Sequence, residues 1–187
     1  MITAQEIKDL QDKISRNGDQ HAYAQLYIAY MPYLLKFANS IIKNNELSEE
    51  IVSDVFIKIW QNRADLGKVD NLKLYLYVST KNTALNYLSR HFRKDIISLE
   101  EMSLNTSMSP YNPEQILITS EAVKKLNFEI QKLPPRCRLI FKLVKEDRLR
   151  YNEIARLLNI SVKTIDNQMA IALKKISTAI SFDLKKA

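Results

Sequence analysis

The sequence predicts an all-α protein of two small helical domains joined by a flexible linker, and three observations carry that prediction. Apolar residues recur at helical spacing along most of the 187 residues, while alternating β-branched runs are few. Only two glycines, Gly18 and Gly67, occur in the chain. Residues 98–113, SLEEMSLNTSMSPYNP, are rich in Ser, Asn and Pro and hold no sustained apolar period, as befits a linker.

The elements follow in order. After a loop at Asn17–Asp19, residues 21–30 place Tyr23, Leu26, Tyr27 and Tyr30 on one helical stripe. Pro32 suits the first turn of a second helix carrying Leu34, Leu35, Phe37, Ala38, Ile41 and Ile42, which Asn44-Asn45 breaks. Ser48 is the expected N-cap of a third helix, with Glu49 and Glu50 complementing the helix dipole. This segment, SEEIVSDVFIKIWQN, turns Val52, Val55, Phe56, Ile59 and Trp60 inward and Glu50, Ser53, Asp54, Lys58 and Gln61 outward. Arg63–Asn71, containing Gly67, reads as a loop, and Leu72–Phe92 as a fourth helix. Four helices are enough for one domain. Beyond the linker, Pro113 permits a helix from Glu114 to Lys132, and Pro134-Pro135 separates it from a further helix over Arg136–Val144. The expected boundaries are 1–95, 96–115 and 116–187.

Leu149–Ile176, LRYNEIARLLNISVKTIDNQMAIALKKI, is the most specific stretch. Ile154, Leu158, Ile160 and Ile165 fall where two crossing helices need apolar contacts, and Ala155 lets their backbones approach. Asn159 stands at the turn, where φ > 0 is usual and Asn is the commonest residue after Gly to accept it. Ser161 is the expected N-cap of the next helix, its hydroxyl free for an orphan N–H or a DNA phosphate. Gln168 is polar where such motifs usually bury an apolar residue, and Met169 takes the inward role one step later. The pattern is a helix-turn-helix, whose normal use is to lay the second helix in the major groove.

Charge agrees with an anionic partner. The formal net charge is +7 and the pI about 9.4. Residues 1–70 hold 8 basic and 10 acidic side chains, 71–98 hold 5 and 1, 99–131 hold 2 and 5, and 132–187 hold 13 and 5. Two separate basic blocks imply two anion-facing surfaces. A composition 46% hydrophobic and 26% charged suits a soluble protein. Cys137, the single cysteine, excludes an internal disulfide and a thiolate cage for zinc, and reads as a small buried hydrophobe. Two glycines exclude a phosphate-cradling loop and a dinucleotide fingerprint. His21 and His91 are far apart and lack metal or triad spacing, so no catalytic residue, metal ligand or cofactor site is proposed. There is no signal-peptide pattern and no membrane-spanning run, which places the protein in the cytoplasm.

Together the two halves resemble a known family. The apolar helices, the acidic amphipathic segment ending in FIKIW, the loop and YLYVSTKNTALNYLSRHFRK resemble the second domain of bacterial sigma factors, and LPPRCRLIFKLVKEDRLRYNEIARLLNISVKTIDNQMAIALKKI resembles their fourth. Having these two domains is the pattern of the extracytoplasmic-function group, and the resemblance spans roughly residues 18–180. It implies that the face bearing Glu50, Ser53 and Asp54 meets the clamp helices of core RNA polymerase. It implies that the fourth helix captures the opened minus-ten strand through Lys81, Asn82, Asn86 and Arg90, where amides read base edges and cations meet phosphates. The loop Asn62–Asn71 resembles the segment that forms a pocket for an unstacked base, which makes opening selective. Tyr75 and Tyr77 either stack on bases or fill the core. In the C-terminal half, Lys163, Thr164, Asn167 and Gln168 are expected to reach bases of the minus-thirty-five duplex, while Arg150, Ser161 and Lys174 hold phosphate. Asp166 either accepts from cytosine or orients Lys163.

The expected function is therefore a non-enzymatic transcription initiation factor whose partners are core RNA polymerase and promoter DNA, with no small-molecule substrate and no cofactor. The family often has a membrane-bound anti-sigma factor, though no residue here identifies one. Two rivals stand beside this reading. One is a two-domain helix-turn-helix regulator with an N-terminal dimerisation or sensing domain, which has no need of clustered Lys, Asn and Arg on the fourth helix. The other is a protein-binding adaptor, disfavoured by the basic last block.

Overall fold

The computed structural model describes the backbone of residues 3–91 and 121–184, and side chains of residues 3–90 and 126–179. All nine elements among the described residues are helices. They fall into two compact units, Met1–Ile96 and Ile97–Ala187. The linker expected over 96–115, Phe92 and the first residues of the helix expected from Glu114 lie outside the described residues.

The N-terminal unit contains α1 (Ala4–Asn17), α2 (Gln20–Ile42), α3 (Asn45–Gln61), α4 (Arg63–Leu66) and α5 (Leu72–His91). Helix α1 had no counterpart among the elements expected from sequence. Thr3 caps it by accepting from the Glu6 N–H at 3.2 Å while the Glu6 carboxylate accepts from the Thr3 N–H at 2.6 Å, a reciprocal pair that satisfies two orphan donors. The carboxylate's pKa is lowered, chiefly by that backbone hydrogen bond. Gly18, at φ 60, ends the helix in the left-handed region.

Pro32 does not begin a new helix. It lies inside one continuous α2, where the expected pair of helices is a single element. A proline here removes the hydrogen bond to the Ile28 carbonyl and costs about 3 kcal/mol or more in a helix interior. Leu26, Tyr30, Leu34 and Phe37 continue one buried stripe across it, and Ile28 is 72% exposed, so water can serve that carbonyl. The cap of α3 also differs from expectation. Asn44 Oδ1 accepts from the Leu47 N–H at 3.0 Å, whereas Ser48 is buried and its hydroxyl donates to the Asn44 carbonyl at 2.6 Å. Asn44 thus starts one helix just after Lys43, at φ 58, has closed another.

Ile51, Val52, Val55, Phe56 and Ile59 of α3 join Leu26, Leu34, Phe37 and Ile41 of α2 and Leu76, Tyr77 and Ala84 of α5 in the core. Trp60 is half-buried beside Tyr23, whose hydroxyl donates to the Phe56 carbonyl at 2.8 Å.

The C-terminal unit contains α6 (Glu121–Gln131), α7 (Pro135–Lys145), α8 (Tyr151–Leu158) and α9 (Val162–Leu184). Helices α6, α7 and α8 all pack on α9. Its core is Ile130, Leu133, Cys137, Ile140, Leu143, Ile154, Leu157, Leu158, Ile165, Met169, Ala172 and Ile176.

Candidate nucleic-acid interface

The turn between α8 and α9 is built from backbone chemistry within a few residues. Asn159 takes φ 54 and ψ 49, and the Ile160 N–H reaches back to the Ala155 carbonyl at 3.0 Å. Ser161 Oγ then accepts from the Thr164 N–H at 3.0 Å and lies 2.8 Å from Thr164 Oγ1. Of the two uses expected for that hydroxyl, it caps the helix. Whichever of the two hydroxyls donates in that pair, the other keeps its proton for a further acceptor such as a phosphate oxygen.

This cap fixes how α9 leaves the unit. Ile165 and Met169 are at most 2% exposed, so Met169 does take the inward place that Gln168 leaves. Gln168 is half-buried, and its carbonyl accepts from Cys137 Sγ at 3.2 Å. Lys163, Asp166 and Asn167 are exposed. Lys163 and Asn167, four residues apart, form one outward stripe. Arg150 is exposed just ahead of α8, its backbone N–H held by the Glu153 carboxylate at 2.6 Å. Lys174 is exposed but stands apart, about 10 Å along the axis from Asn167 at the helical rise. There it lines a groove of about 870 Å³ with Glu129, Lys132, Ile171 and Thr178.

In the N-terminal unit α5 buries Leu72, Leu76, Tyr77, Thr80 and Ala84 and exposes Asn82, Asn86 and Arg90, while Lys81 is half-buried. Asn82 and Asn86 are one turn apart on the same side. Tyr77 is fully buried, its ring 5.1 Å from Phe37, and so belongs to the core; Tyr75 is 42% exposed. The expected loop Arg63–Asn71 begins instead with the single turn α4, because Asn62 and Asp65 start successive turns whose N–H and carbonyl groups pair locally. After it Lys68, Asp70 and Asn71 are exposed. Lys68 Nζ sits 2.6 Å from Asp65 Oδ1, which raises its pKa, and Asn71 Oδ1 accepts from the Leu74 N–H at the start of α5.

Two features of this unit escaped the sequence reading. Ile57 is 52% exposed on α3, two turns from Glu50 and on the same side as Glu50, Asp54 and Gln61. The signal that marks it in the sequence is an apolar residue at the helical period of an acidic face. The other is Gln11, only 2% exposed, whose amide donates to the Leu66 and Val69 carbonyls. Among the described residues no helix is long and apolar enough to cross a membrane, and no group of acidic, His and Cys side chains has the arrangement of a metal site.

Comparison with known proteins matches each unit. The family model described as Sigma-70 region 2 matches residues 26–94, and Sigma-70, region 4 matches residues 124–176. The ECF RNA polymerase sigma-E factor of Escherichia coli is 24% identical over 172 residues, covering 88% of this chain and 90% of that protein. The RNA polymerase sigma-H factor of Pseudomonas aeruginosa is 22% identical over 194 residues, with both chains fully covered. Among solved structures, the sigma factor RpoE in complex with the anti-sigma factor NepR from Bartonella quintana has a TM-score of 0.55 at 18% identity, covering 86% of this chain and 98% of that one. With region 2 on one compact unit, region 4 on the other, and sigma factors similar along nearly the whole length, the chain belongs to the sigma-70 family, in its extracytoplasmic-function group.

Proposed function

We propose that the chain divides promoter recognition between its units, residues 1–95 acting as sigma domain two and residues 116–187 as sigma domain four. As a sigma factor it directs core RNA polymerase to promoters, and bond-making stays with the polymerase; the chain supplies no catalytic residue, metal or cofactor. Its site of action is the cytoplasm, where polymerase and promoters meet.

One observation carries the division: each unit presents an exposed polar helix face beside a backbone turn that fixes its direction. In the C-terminal unit that face is Lys163 and Asn167 on the capped start of α9, with Gln168 at its edge. Placed in a major groove, the amides pair with adenine edges, while Arg150, Ser161 and Lys174 contribute contacts to phosphate and Thr164 approaches the bases. In the N-terminal unit Asn82, Asn86 and Arg90, with Lys81 at their margin, lie on the helix that the exposed loop Lys68–Asn71 leads into. That suits unpaired bases, which offer edges that a duplex hides.

The face of α3 is the proposed polymerase contact. Glu50, Ser53 and Asp54 are exposed, and neither carboxylate has a salt bridge among the described residues. Ile57 gives this face an apolar centre within a polar rim, the usual anatomy of a protein interface. A solved relative is bound by the anti-sigma factor NepR, and a restraining partner of that kind belongs to the proposal for this chain. The test is to add the purified protein to sigma-free core polymerase with genomic DNA and sequence the transcripts. Starts clustered behind two shared sequence elements are expected; the same starts as core alone would overturn the reading.

A further inference from the structure

Helix α1 lies ahead of the residues matched by the region 2 model, yet it is joined closely to the loop that precedes α5. Two positions on it, and the glycine that ends it, face that loop. A Cβ built on Gly18 would lie 3.3 Å from Arg63 Nε at the start of α4, and one built on Gly67 would lie 3.1 Å from Ser15 Oγ. One turn further back, the Gln11 amide nitrogen donates to the Leu66 carbonyl and, at 2.7 Å, to the Val69 carbonyl. Residues 11 and 15 are one turn apart and Gly18 follows at the helix end, so one side of α1 runs along α4 and the turn that follows.

The chemistry of Gln11 is unusual for its place. It sits between the buried Leu10 and Ile14, where another leucine would fill the space without desolvating an amide. An amide nitrogen offers two hydrogens, and both are spent on loop carbonyls 55 and 58 residues away. These bonds fix the path of the backbone rather than merely cover it. Lys68, Asp70 and Asn71 project outward from that path.

We propose that Gln11 is a positioning residue for the minus-ten base pocket: from α1 it sets the backbone of Leu66–Val69 and thereby the direction in which Lys68, Asp70 and Asn71 meet an unstacked base. This rests on the reading of the loop as that pocket. Loss of the two bonds frees the loop to sample other paths, and the site then discriminates less among bases while the unit still folds.

The experiment uses the full chain with core polymerase and a pool of promoters randomised over the minus-ten element, with transcripts sequenced to give base preference at each position. Gln11→Met keeps the length and apolar stem but has no donor; Lys68→Ala with Asp70→Ala alters the loop directly. Preference at one and the same position, reduced about tenfold by Gln11→Met and changed by the loop variant, with the minus-thirty-five preference intact, is the expected result. A helix that only stabilises the unit would lower transcription from all promoters alike and leave the preference profile unmoved. If the loop variant changes the profile while Gln11→Met keeps the parent's, the positioning role is overturned and the pocket reading survives. If neither changes it, the pocket reading falls and the proposal with it. Should Gln11→Met not fold, Gln11→Leu removes the same donor with a shorter apolar side chain, and an unchanged profile there counts equally against the proposal.

Discussion

The two units orient their polar faces by different means. In the C-terminal unit the direction of α9 is decided between Ala155 and Thr164, by one residue in the left-handed region and one hydroxyl cap. In the N-terminal unit the loop before α5 is held by Gln11, more than fifty residues distant in sequence. A locally encoded turn forms whenever its own helices meet. A loop pinned from afar takes its shape only when the whole unit is assembled, so mutations far outside it change what it presents.

The largest effect should come from the core that the local turn serves. Leu157 is fully buried, and Leu157→Ala should cost about 2–5 kcal/mol. Circular dichroism melting and upstream duplex binding check this. The comparison predicts loss of duplex binding while the N-terminal unit melts as before; if both units lose stability together, their independence is refuted.

Replacing Asn167 and Gln168 by Ala should cost on the order of 1–3 kcal/mol at particular base pairs and relax preference there. Selection of bound duplexes from a randomised upstream element reads this directly. A variant that selects the parent's sequence means that α9 docks in another register, or reads DNA through Lys163 and Thr164 alone.

Asn82→Ala with Asn86→Ala tests the other unit. Permanganate reactivity of unpaired thymines near the start site should fall several-fold, with upstream duplex binding retained, because each lost amide hydrogen bond contributes roughly 0.5–1.5 kcal/mol net. Equal opening by variant and parent removes α5 from strand capture.

Reversing Glu50 and Asp54 to Lys should weaken capture of core polymerase about tenfold at physiological salt, with native helicity, as rim charges steer association more than they bind. Unchanged pull-down leaves α3 with a solvated face only. The smallest effect belongs to Arg150→Ala and Lys174→Ala, which should weaken duplex binding almost equally for all sequences and reduce the salt slope by about one each. Because Lys174 stands a groove away from the motif, an unchanged slope there, with a reduced one at Arg150, would confine the phosphate contact to the turn's own neighbourhood.

This contrast also decides what was legible in the sequence. The helix-turn-helix could be read residue by residue because Ile154, Asn159, Ser161, Ile165 and Met169 all lie within sixteen residues of chain. Asn82, Asn86, Lys163 and Asn167, which the family resemblance singled out, are all exposed. The period could not show that Tyr77 packs on Phe37, since a tyrosine's partner is chosen by another helix. Helix α1 was missed for a related reason: its short stripe of Ile7, Leu10 and Ile14 includes a glutamine whose partners are carbonyls far downstream. Pro32 misled because its cost is local, whereas the packing of Leu26, Tyr30, Leu34 and Phe37 that offsets it is not.

Cys137 gives the C-terminal unit an internal clock. It is the chain's one thiol, fully buried, with Sγ donating to the Gln168 carbonyl and its pKa pushed up by burial. A thiol reagent therefore cannot label the native protein until α7 parts from α9. When reclosing outpaces labelling, the labelling rate divided by that of an unfolded thiol is the population of the opened unit. Each molecule reports once, and the N-terminal unit is silent. The breathing of the C-terminal unit can thus be timed within the intact protein, and any slowing by an added duplex read without attaching a probe to the exposed face of α9.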